Sequence, residues 1–310
     1  MTVGAGRYAP SPSGDLHIGN LRTAVLAWLF ARSSSRTFLL RVEDLDRERS
    51  TDAARLRQIA DLQAIGLTWH GTVMRQSDRH AAYIAALDLL TAEGHTYECY
   101  CTRREIREAA RAPHSVAGDA AYPGTCALLT ETERAVRRRA AGRPPTIRLR
   151  GDGARYGVHD LLHPGYEGPV HDVVLRRFDG AIAYNLAVVV DDIHQGIDQI
   201  VRGDDLLAGT PTQLHLTALL GGRPVEYAHV PLVLDAGGRR LAKRNSAITL
   251  GDLAAAGVPV DRVRRSILQS LGAAISDDAA SLEQLANSFR PALLPKVPWT
   301  FDPNRIASPR

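Results

Sequence analysis

The sequence predicts an α/β fold built on a parallel β-sheet, on three observations. A short strand at residues 3–9 (VGAGRYA) runs through a Pro-rich turn into an apolar helix at about 19–33 (GNLRTAVLAWLFARS). A second strand follows at 37–43 (TFLLRVE), almost continuously apolar, as a strand covered on both faces should be. The same character returns after an interruption, from residue 183 onward. Strands joined through helices pair in parallel, so the pieces assemble into one layered sheet.

The remaining elements follow in order. Helices are predicted at about 52–65 and 78–93, from apolar residues at helical spacing. Residues 95–126 break the rhythm and carry all three cysteines. A basic helix follows at about 130–141 (TETERAVRRRAA), and 146–184 reads as short strands with Gly and Pro turns. AYNLAVVVDDIHQGI (183–197) and DQIVRGDDLL (198–207) resume the α/β pattern. A helix is predicted at 210–221, a strand at 227–235, a Gly- and Arg-rich loop at 236–246 and helices beyond about 251. The expected organisation is therefore 1–94 and 181–250 as two halves of one domain, 95–180 as an insertion, and 251–310 as a helical C-terminal segment.

Composition bounds the function classes. With 310 residues and 45% apolar content, the core needs no disulfides, and 23% charged residues excludes global disorder. No apolar run reaches the roughly 18 residues of a membrane span, and the N-terminus lacks a signal pattern, so a cytoplasmic, membrane-free protein is expected. A monomer is also expected. The net charge of +4 permits a polyanionic partner. Of the 38 basic side chains only Lys243 and Lys296 are lysine, so a lysine is a rare choice in this chain.

Four segments carry chemistry. The first strand passes through PSPSGDLHIGN into a helix, which aims backbone N–H groups at a ligand above the strand ends and suits a nucleotide phosphate chain. His17 can donate to phosphate oxygens, and Gly19 permits close approach. In RVEDLDRERS (41–50), Arg41 and Glu43 share one strand face at its carboxyl end, suited to a ligand or to a structural ion pair. GGRRLAKRNSA (237–247) is a glycine-led basic loop around Lys243. Cys99, Cys101 and Cys126 read as metal ligands, and His95, His114 or Tyr122 could complete a zinc set. Arg137, Arg138 and Arg139 could meet phosphates or form a solvated helix face.

RYAPSPSGDLHIGNLRTAVLAWLFAR resembles the opening of class I aminoacyl-tRNA synthetases of the glutamyl type, with HIGN in place of HIGH. RLAKR at 240–244 loosely matches their KMSKS signature, with Lys243 as its second lysine. The resemblance covers about residues 5–250 and implies a Rossmann-type catalytic domain. It implies glutamate binding by Arg7, Tyr8, Ala9, Pro10, Ser11, Glu43, Tyr184 and Arg202, with Arg7 on the side-chain carboxylate and Arg202 as a second cation. It implies ATP and Mg2+ at His17, Gly19, Asn20 and Lys243, with His17 and Lys243 catalytic. Cys-x-Cys followed by Tyr-x-x-x-Cys resembles a subtype that binds one structural zinc ion, here through Cys99, Cys101, Tyr122 and Cys126.

Only 67 residues follow Lys243, too few for the anticodon-binding region of that type. The chain therefore resembles the truncated glutamyl-queuosine tRNA(Asp) synthetases. That resemblance implies tRNA-independent activation of glutamate by ATP and transfer to the queuosine of tRNA(Asp). A shortened enzyme charging tRNA(Glu), or a non-catalytic tRNA-binding paralogue, would share most of these residues.

Overall fold

The computed structural model describes residues 4–110, 122–241, 248–274 and 281–307. From the N-terminus, β1 (Ala5–Tyr8) leads into α1 (Ile18–Ser33), then β2 (Thr37–Val42), α2 (Asp52–Ala64), β3 (Met74–Arg75) and α3 (His80–Ala92). The interruption carries β4 (Thr96–Cys99), α4 (Arg103–Ala110), α5 (Glu131–Ala141), β5 (Thr146–Leu149), β6 (Arg155–Gly157), β7 (Glu167–Pro169) and β8 (Val174–Arg176). The chain returns with α6 (Tyr184–His194), β9 (Ile197–Gly203), α7 (Thr210–Leu219), β10 (Glu226–Val230) and β11 (Val233–Leu234). It continues through α8 (Leu250–Ala255), α9 (Val260–Gln269), α10 (Leu282–Ser288), β12 (Trp299–Thr300) and α11 (Pro303–Ala307).

The central sheet has the order β10-β9-β1-β2-β3, and its strands pair in parallel. β4, β5 and β8 form a separate antiparallel sheet within the interruption. Two sequence expectations are modified. The strand expected at 227–235 is broken at Pro231, which has no N–H for a ladder. The helical tail also contains β12, which pairs with β11. No helix among the described residues is long and apolar enough to cross a membrane.

Helix α1 is buried along most of its length, from Ile18 to Ala31. A helix apolar on every side needs cover on every side. The sheet covers one side through Tyr8, Phe38, Leu40, Val201 and Ala228. The C-terminal segment covers the rest with Val263, Ile267, Leu271, Leu285 and Phe289, and the Phe30 and Phe289 rings meet edge to face at 5.1 Å. Arg22, buried in this layer, ties α1 to the Pro231 carbonyl at 2.8 Å and the Ser270 hydroxyl at 3.0 Å.

The other sheet face is charged. In register, Arg7 lies beside Leu39 and Ile200, and Arg202 lies beside His229. Alternation then puts Arg7, Arg41, Arg202, Tyr227 and His229 on the face away from α1. Helix α6 covers that face with Asp191 and Asp192, both buried. Asp192 accepts from Arg7 Nε at 3.1 Å, Arg7 Nη2 at 3.2 Å and Arg41 Nη1 at 2.7 Å. Asp191 accepts from Gln76, Arg79 and Tyr83 at 2.8–2.9 Å. Burial alone would raise the Asp192 pKa, yet Arg41 and Arg7 outweigh it and hold the carboxyl below its ordinary value.

Removing Asp192 takes the counter-charge from buried Arg7 and leaves Arg41 with Glu43 at 3.2 Å and Asp191 at 3.9 Å. Asp192→Ala is therefore expected to cost about 3–5 kcal/mol of stability, measured by urea unfolding. A loss below about 1 kcal/mol would contradict this account of the layer.

Candidate active site

The chain leaves the central strand β1 toward β2 on one side, while β9 and β10 lie on the other. Ligands of open α/β sheets bind outside the strand carboxyl ends at such a point. A cleft of about 410 Å³ opens there. Of the residues predicted from sequence, Tyr8, Ala9, Pro10, Ser11, His17, Gly19, Asn20 and Arg202 line it.

The Pro-rich turn is held from beneath by Gln58 of α2, whose amide donates to the Ser11 carbonyl at 3.1 Å and the Gly14 carbonyl at 2.6 Å. Backbone bonds from Glu43 N–H to Pro10 and from Thr51 N–H to Pro12 add two further ties. At the start of α1, His17 Nδ1 accepts from the Asn20 N–H at 3.2 Å, and Asn20 Oδ1 accepts from the His17 N–H at 3.3 Å. This reciprocal cap gives the asparagine of HIGN a structural role. It also leaves the ring proton of neutral His17 on Nε2. Gly19 has a nearer reason than room for a ligand: a Cβ there would lie 2.9 Å from the His17 ring.

Arg7 and Glu43 do not line the cleft; they lie on the charged sheet face close to it. Arg7 is forked onto Asp192 through Nε and Nη2, and its Nη1 makes no hydrogen bond among the described residues. Glu43 accepts from Arg41 Nη2 at 3.2 Å, so the same-face pair read from sequence is an ion pair. Burial pushes the Glu43 carboxyl up, opposed by Arg41 and Arg7. Tyr184 opens α6, is 42% exposed and lies outside the cleft lining. Its neighbour Asn185 connects through Gln213 to Arg202. Lys243 lies outside the described residues. Arg240, at the first position of RLAKR, lines the cleft and pairs with Asp205 at 2.7 Å.

Sequence reasoning missed Gln58 and Asp192 as organisers of the site. The adjacent acids in the apolar run VVVDDI were the available signal for Asp192, because a buried carboxylate requires a partner. For Gln58 no comparable signal exists.

The cysteine cluster lies in the interruption, away from the cleft lining. The sulfurs of Cys99, Cys101 and Cys126 all lie within 4.8 Å of one another, and Cys101 and Cys126 are 3.6 Å apart. The Tyr122 hydroxyl is 3.4 Å from Cys99 Sγ and 3.6 Å from Cys101 Sγ. Sulfurs bound to one tetrahedral zinc ion sit roughly 3.8 Å apart, so this donor set fits a metal. Among the described residues no histidine joins it, and His114 lies outside them. Arg148 stacks its guanidinium 3.8 Å from the Tyr122 ring centre, which fixes the ring facing the sulfurs. On α5, Arg137 pairs with Glu105 and Arg138 with Glu98, while Arg139 is exposed.

The cap at α1 has a measurable consequence. Asn20→Ala should lower stability by about 0.5–1 kcal/mol, and Asn20→Asp should recover most of that loss in thermal unfolding. Equal stability of Asn20→Ala and wild type would contradict the capping role.

The chain matches the family described as tRNA synthetases class I (E and Q), catalytic domain, over residues 5–308. A relative named Glutamyl-Q tRNA(Asp) synthetase from Nocardia farcinica is 56% identical over 306 residues, covering 99% of this chain and 96% of that protein. One of the same name from Cutibacterium acnes is 45% identical, covering 95% of this chain and 82% of its own length. A solved glutamate tRNA ligase from Elizabethkingia meningosepticum, in complex with its amino acid, shares the fold at a TM-score of 0.79 and 23% identity, covering 99% of this chain and 68% of that one. With its parallel sheet and its cleft at the strand ends, this chain belongs to the class I tRNA synthetases of the E and Q type.

Proposed function

We propose that this chain activates L-glutamate with ATP, without tRNA, and transfers the glutamyl group to the queuosine at the wobble position of tRNA(Asp). One observation carries the amino-acid half of the reading. Arg7, Arg41 and Arg202 share a sheet face with Glu43 at the strand carboxyl ends, close to a cleft that the start of α1 lines. Glutamate presents one ammonium and two carboxylates. Glu43 suits the ammonium, and Arg7 Nη1 with Arg202 suits the side-chain carboxylate, which leaves the α-carboxylate to react. Tyr184, at the start of α6, would close the amino-acid side. The acceptor half rests on the names of the relatives at 56% and 45% identity.

In this mechanism the α-carboxylate attacks the α-phosphorus of ATP, the bond to the β-phosphate oxygen breaks, and glutamyl-adenylate and pyrophosphate form. A hydroxyl of the queuosine cyclopentenediol then attacks the acyl carbon, and AMP leaves. No protein nucleophile is required; positioning and electrostatic stabilisation carry the rate. At the start of α1 the Ile18 N–H is bonded to the Ile248 carbonyl and the Asn20 N–H to His17, so the Gly19 N–H, His17 Nε2–H and the Asn20 side-chain amide would receive the phosphates. Mg2+ entering with ATP would neutralise phosphate charge. Lys243 is assigned to the leaving pyrophosphate. Residues 1–94 and 181–250 are the two catalytic halves, 95–180 is an acceptor-type insertion, and 251–310 buttresses α1. Cys99, Cys101, Tyr122 and Cys126 would hold one structural zinc ion that closes the insertion.

Two experiments test this reading. Incubation with labelled glutamate, ATP and tRNA(Asp), with and without queuosine, should label the anticodon nucleotide only when queuosine is present. Label at the 3′ end of tRNA(Glu) would favour the aminoacylating alternative, and label nowhere would favour a binding module. For the metal, Tyr122→Phe should weaken zinc retention against a chelator by roughly tenfold or more, with zinc measured directly by mass spectrometry. Unchanged retention would remove Tyr122 from the ligand set.

A further inference from the structure

Arg202 is 6% exposed, and its guanidinium is held on three sides. Nε donates to His229 Nε2 at 3.0 Å, Nη1 to Gln213 Oε1 at 2.6 Å and Nη2 to Thr210 Oγ1 at 2.8 Å. A guanidinium nitrogen only donates, so His229 Nε2 must present a lone pair. The ring proton then sits on Nδ1, which lies 2.5 Å from Asp160 Oδ2. Thr210 Oγ1 lies 3.0 Å from the same Nε2 and 3.3 Å from the Leu206 carbonyl, and its single proton can serve either, so the tautomer is set by the Arg202 bond.

Asp160 is locked in turn. Its Oδ1 accepts from the Leu162 and His163 amides, each at 2.8 Å, and its Oδ2 accepts the His229 amide at 3.1 Å. Burial would raise the Asp160 carboxyl, but the His229 bond and these amides outweigh it and hold it at about 2. Burial pushes His229 below the ordinary histidine value, in keeping with a neutral ring. Both side chains are fully buried. Asp160 comes from the interruption, where Tyr227 N–H donates to the His159 carbonyl and Leu161 N–H to the Tyr227 carbonyl, each at 2.9 Å. The segment thereby runs alongside β10.

We propose that Asp160 and His229 are positioning residues for Arg202. Asp160 fixes the imidazole in the Nδ1–H tautomer, and the Nε2 lone pair orients the guanidinium at the wall of the amino-acid cleft. The opposite tautomer would set Nε2–H against the Arg202 Nε–H, and the two hydrogens would repel. The inference rests on the reading of Arg202 as a cation for the amino-acid substrate. The interruption then has a second role beside its cysteine cluster, because it supplies the carboxylate that sets a side chain of the cleft.

The test uses the full chain with 15N-labelled histidine, together with glutamate-dependent ATP–pyrophosphate exchange. In the wild type His229 should carry its proton on Nδ1, and in Asp160→Asn, whose amide donates where the carboxylate accepted, on Nε2. Asp160→Asn and His229→Ala should raise the KM for glutamate roughly tenfold to a hundredfold and leave the KM for ATP within about twofold. His229→Gln, which keeps an acceptor for Arg202 and a donor for Asp160, should recover most of that loss. A wild-type imidazolium or Nε2–H ring would overturn the inference, as would an unchanged KM for glutamate in Asp160→Asn with the tautomer reversed. If the wild type shows no glutamate-dependent exchange, the functional reading falls, and the wild-type tautomer alone upholds or overturns the relay.

Discussion

The structure depends on one constraint: the sheet face away from α1 carries the buried Arg7 and Arg41, and helix α6 supplies the counter-charge they share. Asp192 stands between Arg7 and Arg41, within 3.2 Å of both. Asp191 gathers Gln76, Arg79 and Tyr83 from the β3–α3 region. A buried ion set of this kind adds little net stability over a well-packed apolar layer, but it tolerates few arrangements. It therefore dictates where α6 lies on the sheet. That in turn locates Tyr184 and Asn185 at the helix start, on the side that reaches Gln213 and Arg202.

The other sheet face solves a different problem. Helix α1 begins at the cleft and must hold its N-terminus steady there. Its apolar surface on every side is the means, because the sheet and the C-terminal helices clamp it from both flanks. The His17–Asn20 cap finishes the end nearest the cleft. The cleft is thus framed by an apolar layer that fixes the helix and a charged layer that fixes the side chains. Such preorganisation is what a reaction without a protein nucleophile needs.

How much of this was legible in the sequence follows from the range of each interaction. The β1–α1–β2 unit was, because its periodicity and its Pro-rich turn are local. So was the Arg41–Glu43 pair, because alternation along a strand needs no tertiary information. The cysteine spacing with Tyr122 was legible only through resemblance, since residue type alone favoured a histidine, His114, as the fourth ligand. The two-residue strands β3 and β12 were not, being too short to show a period. Nor was the Arg7–Asp192 fork, which joins residues 185 apart in the chain. The role of the C-terminal segment was also hidden, although an α1 without a polar face already required a second covering layer. Among the expected site residues, Arg202 and the Pro-rich run reach the cleft wall, whereas Arg7 and Glu43 lie off it, on the charged face.

The central claim is that this charged face selects an amino acid with a carboxylate side chain. The most direct measurement is the amino-acid dependence of ATP–pyrophosphate exchange in the absence of tRNA. The account predicts exchange with L-glutamate and at least a hundredfold less with L-glutamine, whose neutral amide gives Arg7 and Arg202 no charge to bind. Equal exchange with the two amino acids, or exchange only with glutamine, would contradict it.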